Sequence, residues 1–246
     1  MVLHIGTSGW IYEHWRGVFY PERLPQREWL DFYAREFDTV EINFTFYRLP
    51  SRETFQSWRD RAAPAFSYAV KGSRFVTHLK RLRDPEQHVG RFFERLQGLG
   101  DRAGPILWQL PPNFHRNDER LRGFLAALPR EYRHAIEFRH ASWLVEAVFA
   151  HLAEDGLALC IPDRPDLPQT VRLTANWTYV RFHGGTDEGG SYTAAQLDDW
   201  AERIRAFLAR GAAVWVYFNN DWHGHAIRNA RDLRARLAGE AALKAG

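Results

Sequence analysis

Eight short apolar runs, separated by segments of helical periodicity, limit the folds open to this chain more than any other feature. The runs read LHIGTSGW, TVEIN, FSYAVK, PILWQL, HAIEFR, LALCIPD, TYVRFHG and AVWVYFNN. Strands that alternate with helices are joined by crossover connections and therefore lie parallel to one another. Eight such units in 246 residues predict a single α/β domain over residues 1–246, folded as a closed (β/α)8 TIM-like barrel rather than as an open doubly wound sheet.

Polar residues at the starts of the intervening segments predict where several helices begin. Ser51 follows a proline and precedes an apolar stripe, as an N-cap residue does, and Thr193 opens the clearest helical pattern in the chain. Ser142 is the predicted cap of a helix that runs to Gly156, because glycine commonly ends helices. We expect these helices to cover the outside of the barrel.

Composition bears on the partners and the compartment of the protein. With 33 Lys and Arg against 30 Asp and Glu, the formal net charge is +3, which permits an anionic partner without requiring one. The single cysteine, Cys160, excludes an internal disulfide framework and is typical of a reducing compartment. The sequence lacks an apolar run of about 18 residues, and its first strand begins too early for a secretory signal. We therefore expect a cytoplasmic protein with no membrane partner.

Alternation at period two places the polar residues of the strands on one face. The opposite face of a barrel strand packs on the helices and is apolar, so the polar face must point inward. On the sixth run this phase turns Ile161 and Asp163 inward. At the C-terminal ends of the strands the inward set is Glu41, Asn43, Lys71, Gln109, Glu137, Arg139, Asp163, Arg181, His183 and Asn219.

Two interpretations of this polar cluster remain open. It is either a balanced ion-pair network that fills the barrel mouth, since an unpaired buried charge is costly, or a functional site, since barrel enzymes carry their catalytic groups at the C-terminal ends of the strands. The surrounding loops interleave bases with aromatic rings, as in KGSRFVTHLKRLR after the third run. That composition indicates an anionic ligand with flat rings, such as a nucleotide or single-stranded nucleic acid. A site that stacks sugars on aromatic rings would give the loops the same aromatic composition.

Several longer motifs resemble those of one family. They are TSGW, GVFYPERLP, VEIN with TFYRLP, QLPP, EFRH with SW, VRFHG and YFNN, in this order from about Ile5 to the last helix. The chain thereby resembles the YecE-like family, which is built on a domain of unknown function. The resemblance implies a TIM-like barrel and no assigned reaction. One departure is Gly185, where the family often has a basic residue.

The positions that match the family's motifs include the inward set and extend it. They are Gly6, Ser8, Trp10, Glu41, Asn43, Tyr47, Lys71, Gln109, Glu137, Arg139, Asp163, Arg181, His183, Asn219, Asn220 and Asn229. Because these positions lie mainly at strand ends, the resemblance and the strand phase point to the same end of the barrel.

The first hypothesis for function is a hydrolase that acts on a phosphorylated or nucleic-acid-like substrate at the barrel mouth. A glutamate would be the general base, the cations would hold phosphate and stabilise developing negative charge, and a histidine would donate a proton. The candidate catalytic residues are Glu41, Lys71, Glu137 and His183. The candidate substrate-binding residues are Ser8, Trp10, Asn43, Tyr47, Gln109, Arg139, Asp163, Arg181, Asn219 and Asn220.

Two other hypotheses come from different classes. A non-catalytic nucleic-acid-binding protein would use the same basic and aromatic loops, and its affinity would fall steeply with salt. A glycosidase would use Glu41 and Glu137 as its acid pair, about 5–10 Å apart. A divalent metal is a further option, since Glu41, Glu137, Asp163 and His183 could supply its ligands, although the neighbouring cations would compete for the carboxylates. The sequence does not indicate an oligomeric state.

Overall fold

The structure, a computed structural model, describes residues 2–164 and 170–238. The strands found in these residues are β1 Leu3–Thr7, β2 Thr39–Ile42, β3 Ser67–Lys71, β4 Ala103–Gln109, β5 His134–Glu137, β6 Ala158–Asp163, β7 Trp177–Phe182 and β8 Ala213–Phe218. They form one sheet in the order β1–β8–β7–β6–β5–β4–β3–β2, and the paired strands are parallel. The last strand lies beside the first, so the predicted TIM-like barrel is confirmed.

The α-helices of the described residues follow the strands, and most of them pack on the outside of the barrel. They are α1 Trp29–Glu36, α2 Phe44–Tyr47, α3 Arg52–Arg61, α4 Pro85–Leu96, α5 Asp118–Ala126, α6 Glu146–Glu154, α7 Ala194–Ala209 and α8 His225–Ala238. The Ser51 hydroxyl caps α3 by accepting the N–H of Thr54, and Thr193 forms a capping box with Gln196 at the start of α7. Both predicted N-caps are therefore confirmed. No helix in the described residues is long and apolar enough to cross a lipid bilayer.

Side-chain as well as backbone hydrogen bonds close the seam between β1 and β2. At the upper end of the seam, the N–H of Gly9 donates to the carbonyl of Glu41 at 2.8 Å. Lower down, the hydroxyl of Tyr33 accepts the N–H of Thr7 at 2.9 Å and donates to the carbonyl of Thr39 at 3.1 Å. A hydroxyl from α1 thus connects two backbone groups that direct strand pairing would otherwise join.

The barrel interior below the polar strand ends is apolar and unevenly filled. Small side chains line β5 and β6, whereas β7 and β8 contribute large rings. Tyr179 and Tyr217 contact each other there, with 5.1 Å between ring centroids. The inner apolar residues are Ala69, Leu107, Ala135, Ala158, Cys160, Trp177, Tyr179, Trp215 and Tyr217. Residues that alternate with them, such as Val70 and Ile136, pack in the outer core with the helices, so the predicted phase of these strands is confirmed except on β6.

The predicted inward phase of Ile161 and Asp163 on β6 is wrong. Ala158 and Cys160 face the barrel interior, and Ile161 belongs to the outer core. Asp163 turns outward, where its Oδ2 accepts the indole N–H of Trp200 in α7 at 2.9 Å. The run LALCIPD is apolar on both faces, so its alternation could not set the phase.

The predicted cap of the sixth helix is also wrong. Ser142 lies in a short 3-10 turn, Ala141–Trp143, and α6 begins only at Glu146. The Ser142 hydroxyl accepts the N–H of Arg116 at 2.8 Å instead. The hydroxyl thus ties two loops together rather than starting a helix.

Candidate functional site

Arg181 lies at the centre of the polar cluster, near the C-terminal end of β7. Its guanidinium binds Glu41 of β2 through two hydrogen bonds, from Nε to Oε2 at 2.9 Å and from Nη2 to Oε1 at 2.8 Å. Its remaining nitrogen, Nη1, donates to Oε2 of Glu137 in β5 at 2.8 Å. All three side chains are at most 1% exposed. One buried cation therefore joins carboxylates from two other strands of the barrel.

Further donors from the barrel wall complete the hydrogen bonding of both carboxylates. They are Ser8 Oγ and Tyr179 OH on Glu41, at 2.6 and 2.7 Å, and Gln109 Nε2 and Arg139 Nε on Glu137, both at 2.7 Å. Burial alone would raise the pKa of each carboxyl, but the charge of Arg181 and the other neighbouring cations and hydrogen-bond donors together outweigh it and hold both pKa values below the ordinary value of 4.5. Both groups are therefore carboxylates at neutral pH and carry no proton to give.

Lys71, at the C-terminal end of β3, has no carboxylate partner among the described residues. Its ammonium group lies over the ring of Phe46, 4.3 Å from the centroid, and the residue is 8% exposed. Burial, and then the charge of Arg181, lowers the pKa of Lys71 from 10.5 to about 8. The amine therefore changes its protonation state close to neutral pH, as a general acid or base does.

Two histidines lie close to these cations and stay neutral. Burial and the charge of Arg181 lower the pKa of His183 to about 3. Burial and the charge of Lys71 lower the pKa of His78, which follows β3, to about 4. Because the imidazoles are uncharged, Lys71, Arg139 and Arg181 face only the two glutamates. The cluster thus carries one positive charge in excess.

The orientation of His183 follows from its neighbours. Nη1 of Arg181 lies 3.3 Å from Nε2 of His183, and a guanidinium can only donate, so Nε2 accepts and Nδ1 carries the proton. Nδ1 lies 3.3 Å from Nδ2 of Asn219, which is itself a donor, so the Nδ1 proton has no acceptor there. The Oδ1 atom of Asn219 accepts a hydrogen bond from Nδ2 of Asn43 at 3.4 Å. A row of partly exposed polar groups from β2, β7 and β8 thus borders the mouth.

Four predicted substrate-binding residues stand apart from this cluster. Tyr47 lies in α2 and is 70% exposed. Trp10 is 5% exposed and packs edge to face on Trp58 at 5.4 Å. Asn220 donates to the carbonyl of Gly190 at 3.0 Å and to Oδ1 of Asn229 at 2.9 Å, so it links loops around the mouth. Asp163 faces α7 as described above. The structure brings the remaining candidates of β2, β3, β4, β5, β7 and β8 together.

Steric contacts explain why position 185 carries a glycine. A Cβ atom on Gly185 would lie 2.1 Å from the carbonyl oxygen of Ser191, and the Gly185 N–H donates to the carbonyl of Gly190 at 2.9 Å. The loop after β7 folds back on itself so tightly that it admits no side chain here. The basic residue that the family often carries at this place would not fit this loop conformation.

The arrangement does not assemble the ligand set considered for a metal. Glu41 and Glu137 accept hydrogen bonds from Arg181, and Asp163 turns away from the mouth. Across residues 2–164 and 170–238, no group of three or more His, Cys, Asp and Glu side chains is placed to hold a metal ion.

Two residues that contact the cluster were missed by reasoning from the sequence. Thr45 donates its hydroxyl proton to the carbonyl of Lys71 at 2.6 Å and so fixes the end of β3. His78 packs edge to face on Phe46 at 4.9 Å, beside the Lys71 ammonium. Both follow strands rather than lie in them, where alternation gives no phase. The only sequence signal for these two residues was their position shortly after the ends of β2 and β3.

Large exposed side chains border one side of the mouth, and we call this set the rim. Its members are Phe44, Tyr47, Arg48, Arg74, Phe75 and Trp222, which follow β2, β3 and β8. Tyr47 is 70% exposed and Trp222 is 65% exposed. The ring of Trp222 stacks on His14 at 5.3 Å between centroids. The rim therefore offers flat apolar surfaces next to positive charges, as the loop composition predicted.

Comparison with relatives covers almost the whole chain. The family model described as "Protein of unknown function DUF72" matches residues 4–245. The UPF0759 protein YecE of Escherichia coli strain K12 is 30% identical over 212 residues, which span 76% of this chain and 75% of that protein. The UPF0759 protein YunF of Bacillus subtilis is 24% identical over 271 residues, spanning 94% of this chain and 93% of YunF.

Solved structures agree with this comparison. A DUF72 family protein from Thermotoga maritima superposes with a TM-score of 0.87 at 30% identity, covering 97% of this chain and 100% of that one. A DUF72 family protein from Enterococcus faecalis has the same fold, with a TM-score of 0.81 at 20% identity over 96% of each chain. None of these names states an activity or a substrate. The chain belongs to the DUF72 family of YecE-like proteins.

Proposed function

We propose that the barrel mouth binds a phosphorylated or nucleic-acid-like substrate and hydrolyses it, in the cytoplasm. The observation that carries the proposal is the environment of Lys71. Its ammonium group is buried against Phe46 and has no carboxylate partner in the described part of the chain, while Glu41 and Glu137 are both bound to Arg181. A phosphate group at the mouth would supply the missing counter-charge.

The cluster divides into a supporting part and a part that faces the mouth. Glu41, Glu137 and Arg181 are buried, and Arg181 binds both glutamates, so in this proposal they position other groups. Arg139 is 21% exposed and binds Glu137 through Nε, which lets its two terminal nitrogens donate to phosphate oxygens. Lys71 and Arg139 would therefore hold the phosphate between them.

The chemistry of hydrolysis requires a proton acceptor for water and a donor for the leaving group. The pKa of Lys71, which burial lowers to about 8, suits the role of proton donor near neutral pH. Arg139 would stabilise negative charge on the phosphoryl oxygens, and His183 would orient the substrate through its Nδ1 proton. Because the oxygens of Glu41 and Glu137 already accept several hydrogen bonds, neither glutamate is the proposed base here. A phosphoryl oxygen of the substrate accepts the proton of the attacking water, and the Lys71 ammonium gives its proton to the leaving-group oxygen.

The test measures turnover and binding of phenyl phosphate, whose phenolate leaving group needs a proton, and of a single-stranded oligonucleotide. Lys71→Gln should lower turnover by about 10²–10⁴-fold, the usual contribution of a general acid or base. Lys71→Arg should retain binding but not turnover, because a guanidinium stays charged. Arg210→Gln, at the exposed C-terminal end of α7, removes a charge remote from the mouth and should change neither. Unaltered turnover in Lys71→Gln would remove Lys71 from the mechanism.

A second candidate, a nucleic-acid-binding protein without catalysis, is favoured by the exposed rings of the rim. Stacking of bases on Tyr47 and Trp222 is expected to contribute about 1–3 kcal/mol per base. Fluorescence anisotropy with a labelled oligonucleotide should then show affinity that falls steeply with salt and falls again in Tyr47→Ala and Trp222→Ala. Tight binding with no cleavage would favour this candidate over the hydrolase.

The glycosidase hypothesis receives no support from the geometry. Its mechanism needs one carboxylic acid that keeps its proton and a second carboxyl group that reaches the sugar. Glu41 and Glu137 are both 0% exposed, and the charge of Arg181 lowers the pKa of each, although burial opposes it. Neither group is placed to protonate a glycosidic oxygen.

A further inference from the structure

A second cavity, of about 310 Å³, lies beside the barrel mouth and outside the strand wall. It is enclosed by the segment after β3, by α4 and by Leu49, which follows α2. Ser73, two residues beyond Lys71, forms part of its wall. Its volume falls at the lower end of the roughly 300–1,000 Å³ typical of small-molecule sites. The cavity could therefore hold a ligand of about the size of a mononucleotide.

The cavity is positively charged on its α4 side. His88, Arg91 and Arg95 line it and share one face of the helix, because they are three and four residues apart. Neither arginine forms an ion pair with a carboxylate of residues 2–164 or 170–238, and none of the described lining residues is acidic. Arg95 donates from Nη1 to the carbonyl of Pro50 at 3.3 Å, and its other nitrogens can still serve a ligand. Two guanidinium groups on one wall without a salt-bridge partner favour a ligand with a dianionic group, such as a phosphate monoester.

The imidazole of His88 gives independent evidence for a missing partner. Its Nε2 atom is buried and has no hydrogen-bond partner in the described structure. Buried polar atoms are nearly always paired in native proteins. Across the cavity, the Ser73 hydroxyl accepts the N–H of Phe75 at 3.2 Å, so its own proton is available to a further acceptor. The Ser73 hydroxyl can donate to an anion in the cavity directly, and Nε2 of His88 would join it on rotation of the imidazole toward Arg91.

The rest of the wall is apolar and includes an exposed ring. Phe75 is 42% exposed and packs edge to face on His88 at 4.8 Å between centroids. Leu49, Val76 and Phe92 complete the lining. An apolar wall next to a cationic one fits a ligand that has both an uncharged ring portion and a charged end.

We propose that this cavity is a second ligand site, which binds the phosphate of a nucleoside monophosphate through Arg91, Arg95 and His88 and its ring portion against Phe75. The site goes beyond the proposed hydrolase function, since it lies outside the barrel interior and requires no reaction. It would let the protein hold one phosphorylated group beside the mouth while another occupies the mouth itself.

The experiment titrates adenosine 5′-monophosphate, adenosine and inorganic phosphate into the full chain by calorimetry, at low and at physiological salt. The variants are Arg91→Gln, which lies at the surface and leaves the core intact, His88→Phe, and the matched control Arg122→Gln on the exposed face of α5. We expect the monophosphate to bind more tightly than adenosine or phosphate alone. Arg91→Gln and His88→Phe should each weaken that binding by at least about tenfold, equivalent to about 1.4 kcal/mol, and Arg122→Gln should not change it.

Lys71→Gln separates this site from the mouth. If the cavity binds the monophosphate, Lys71→Gln retains that binding event even when turnover is lost. Binding lost in Lys71→Gln but intact in Arg91→Gln would place the ligand in the mouth and overturn this inference, leaving the hydrolase proposal standing. Absence of any monophosphate binding by the wild-type chain would also overturn it.

Discussion

The guanidinium of Arg181 holds the carboxylate of Glu41 by two hydrogen bonds of 2.8 and 2.9 Å, inside the barrel where neither side chain is exposed by more than 1%. The two residues lie on β7 and β2, which are separated in the sheet by β8 and β1. The pair therefore crosses the weakly paired seam between β1 and β2. With Glu137 on β5, it connects three separate regions of the barrel wall.

Glu41→Gln should destabilise the protein by about 3–5 kcal/mol, because it leaves a buried guanidinium with one fewer counter-charge. Urea unfolding followed by tryptophan fluorescence measures the change in the free energy of unfolding. The matched control is Glu36→Gln, which removes a partly exposed partner of Arg231 and Arg234 and should cost about 0–1 kcal/mol. An equal decrease in the free energy of unfolding in the two variants would show that burial does not strengthen the contribution of the Glu41–Arg181 pair to stability.

Acid should unfold the protein through the same glutamates. Burial raises the folded-state pKa of Glu41 and Glu137, but Arg181 and the other neighbouring cations and donors together lower it below the ordinary value of 4.5. The unfolded chain therefore binds more protons than the folded one below about pH 4.5, so the free energy of unfolding decreases as pH falls through this range. Unfolding curves between pH 3 and 6 test this, and Glu41→Gln should show a shallower decrease than wild type.

Gly6→Ala should destabilise the barrel strongly at the seam. A Cβ atom on Gly6 would lie 2.3 Å from the carbonyl oxygen of Thr39, so β1 and β2 would have to separate. We expect a loss of at least about 3 kcal/mol, in the range of severe overpacking. The control Gly90→Ala, in α4 with no atom of another element within 4 Å of the added carbon, should be neutral or stabilise by up to about 1 kcal/mol. A soluble Gly6→Ala variant with wild-type stability would contradict this account of the seam.

The barrel and most of the inward set could be predicted because period-two alternation fixes which strand residues share a face. Glu41, Glu137 and Arg181 lie in runs with clear alternation, and the structure places all three inward. Asp163 could not be placed this way, because its partner Trp200 is 37 residues distant in sequence and its own run is apolar on both faces. Prediction therefore succeeded where one strand's pattern was sufficient.

The sequence could not predict which cation binds which carboxylate in the site, for a related reason. Glu41, Glu137 and Arg181 stand on strands that do not pair with one another, so no rule of neighbouring strands tells which carboxylate each cation takes. Whether Lys71 keeps a free ammonium depends on that choice. The sequence predicted three acids opposite three bases, and the outward turn of Asp163 leaves two acids at the mouth. This change produces the excess positive charge on which the proposed function rests.

Lys71→Met should make the protein more stable at neutral pH while abolishing its proposed activity. Burial, and then the charge of Arg181, lowers the pKa of Lys71 from 10.5 to about 8, so the charged amine opposes folding. Methionine has a similar length, packs against Phe46 and carries no charge. At pH 7 we expect an increase in the free energy of unfolding of about 1–3 kcal/mol, from a shift of about 1.4 kcal/mol per pKa unit.

The pH dependence of wild-type stability gives the check on this last prediction. Between about pH 8 and 10.5 the unfolded chain keeps a proton on Lys71 that the folded chain has lost, so the free energy of unfolding contributed by this group rises with pH. Lys71→Met should lack that rise, and its advantage over wild type should shrink as pH approaches 10.5. Urea unfolding of both proteins at pH 7, 9 and 10.5 measures the difference. A variant less stable than wild type at pH 7 would mean that Lys71 has a counter-charge in solution, and the case for a phosphate as its partner would fail with it.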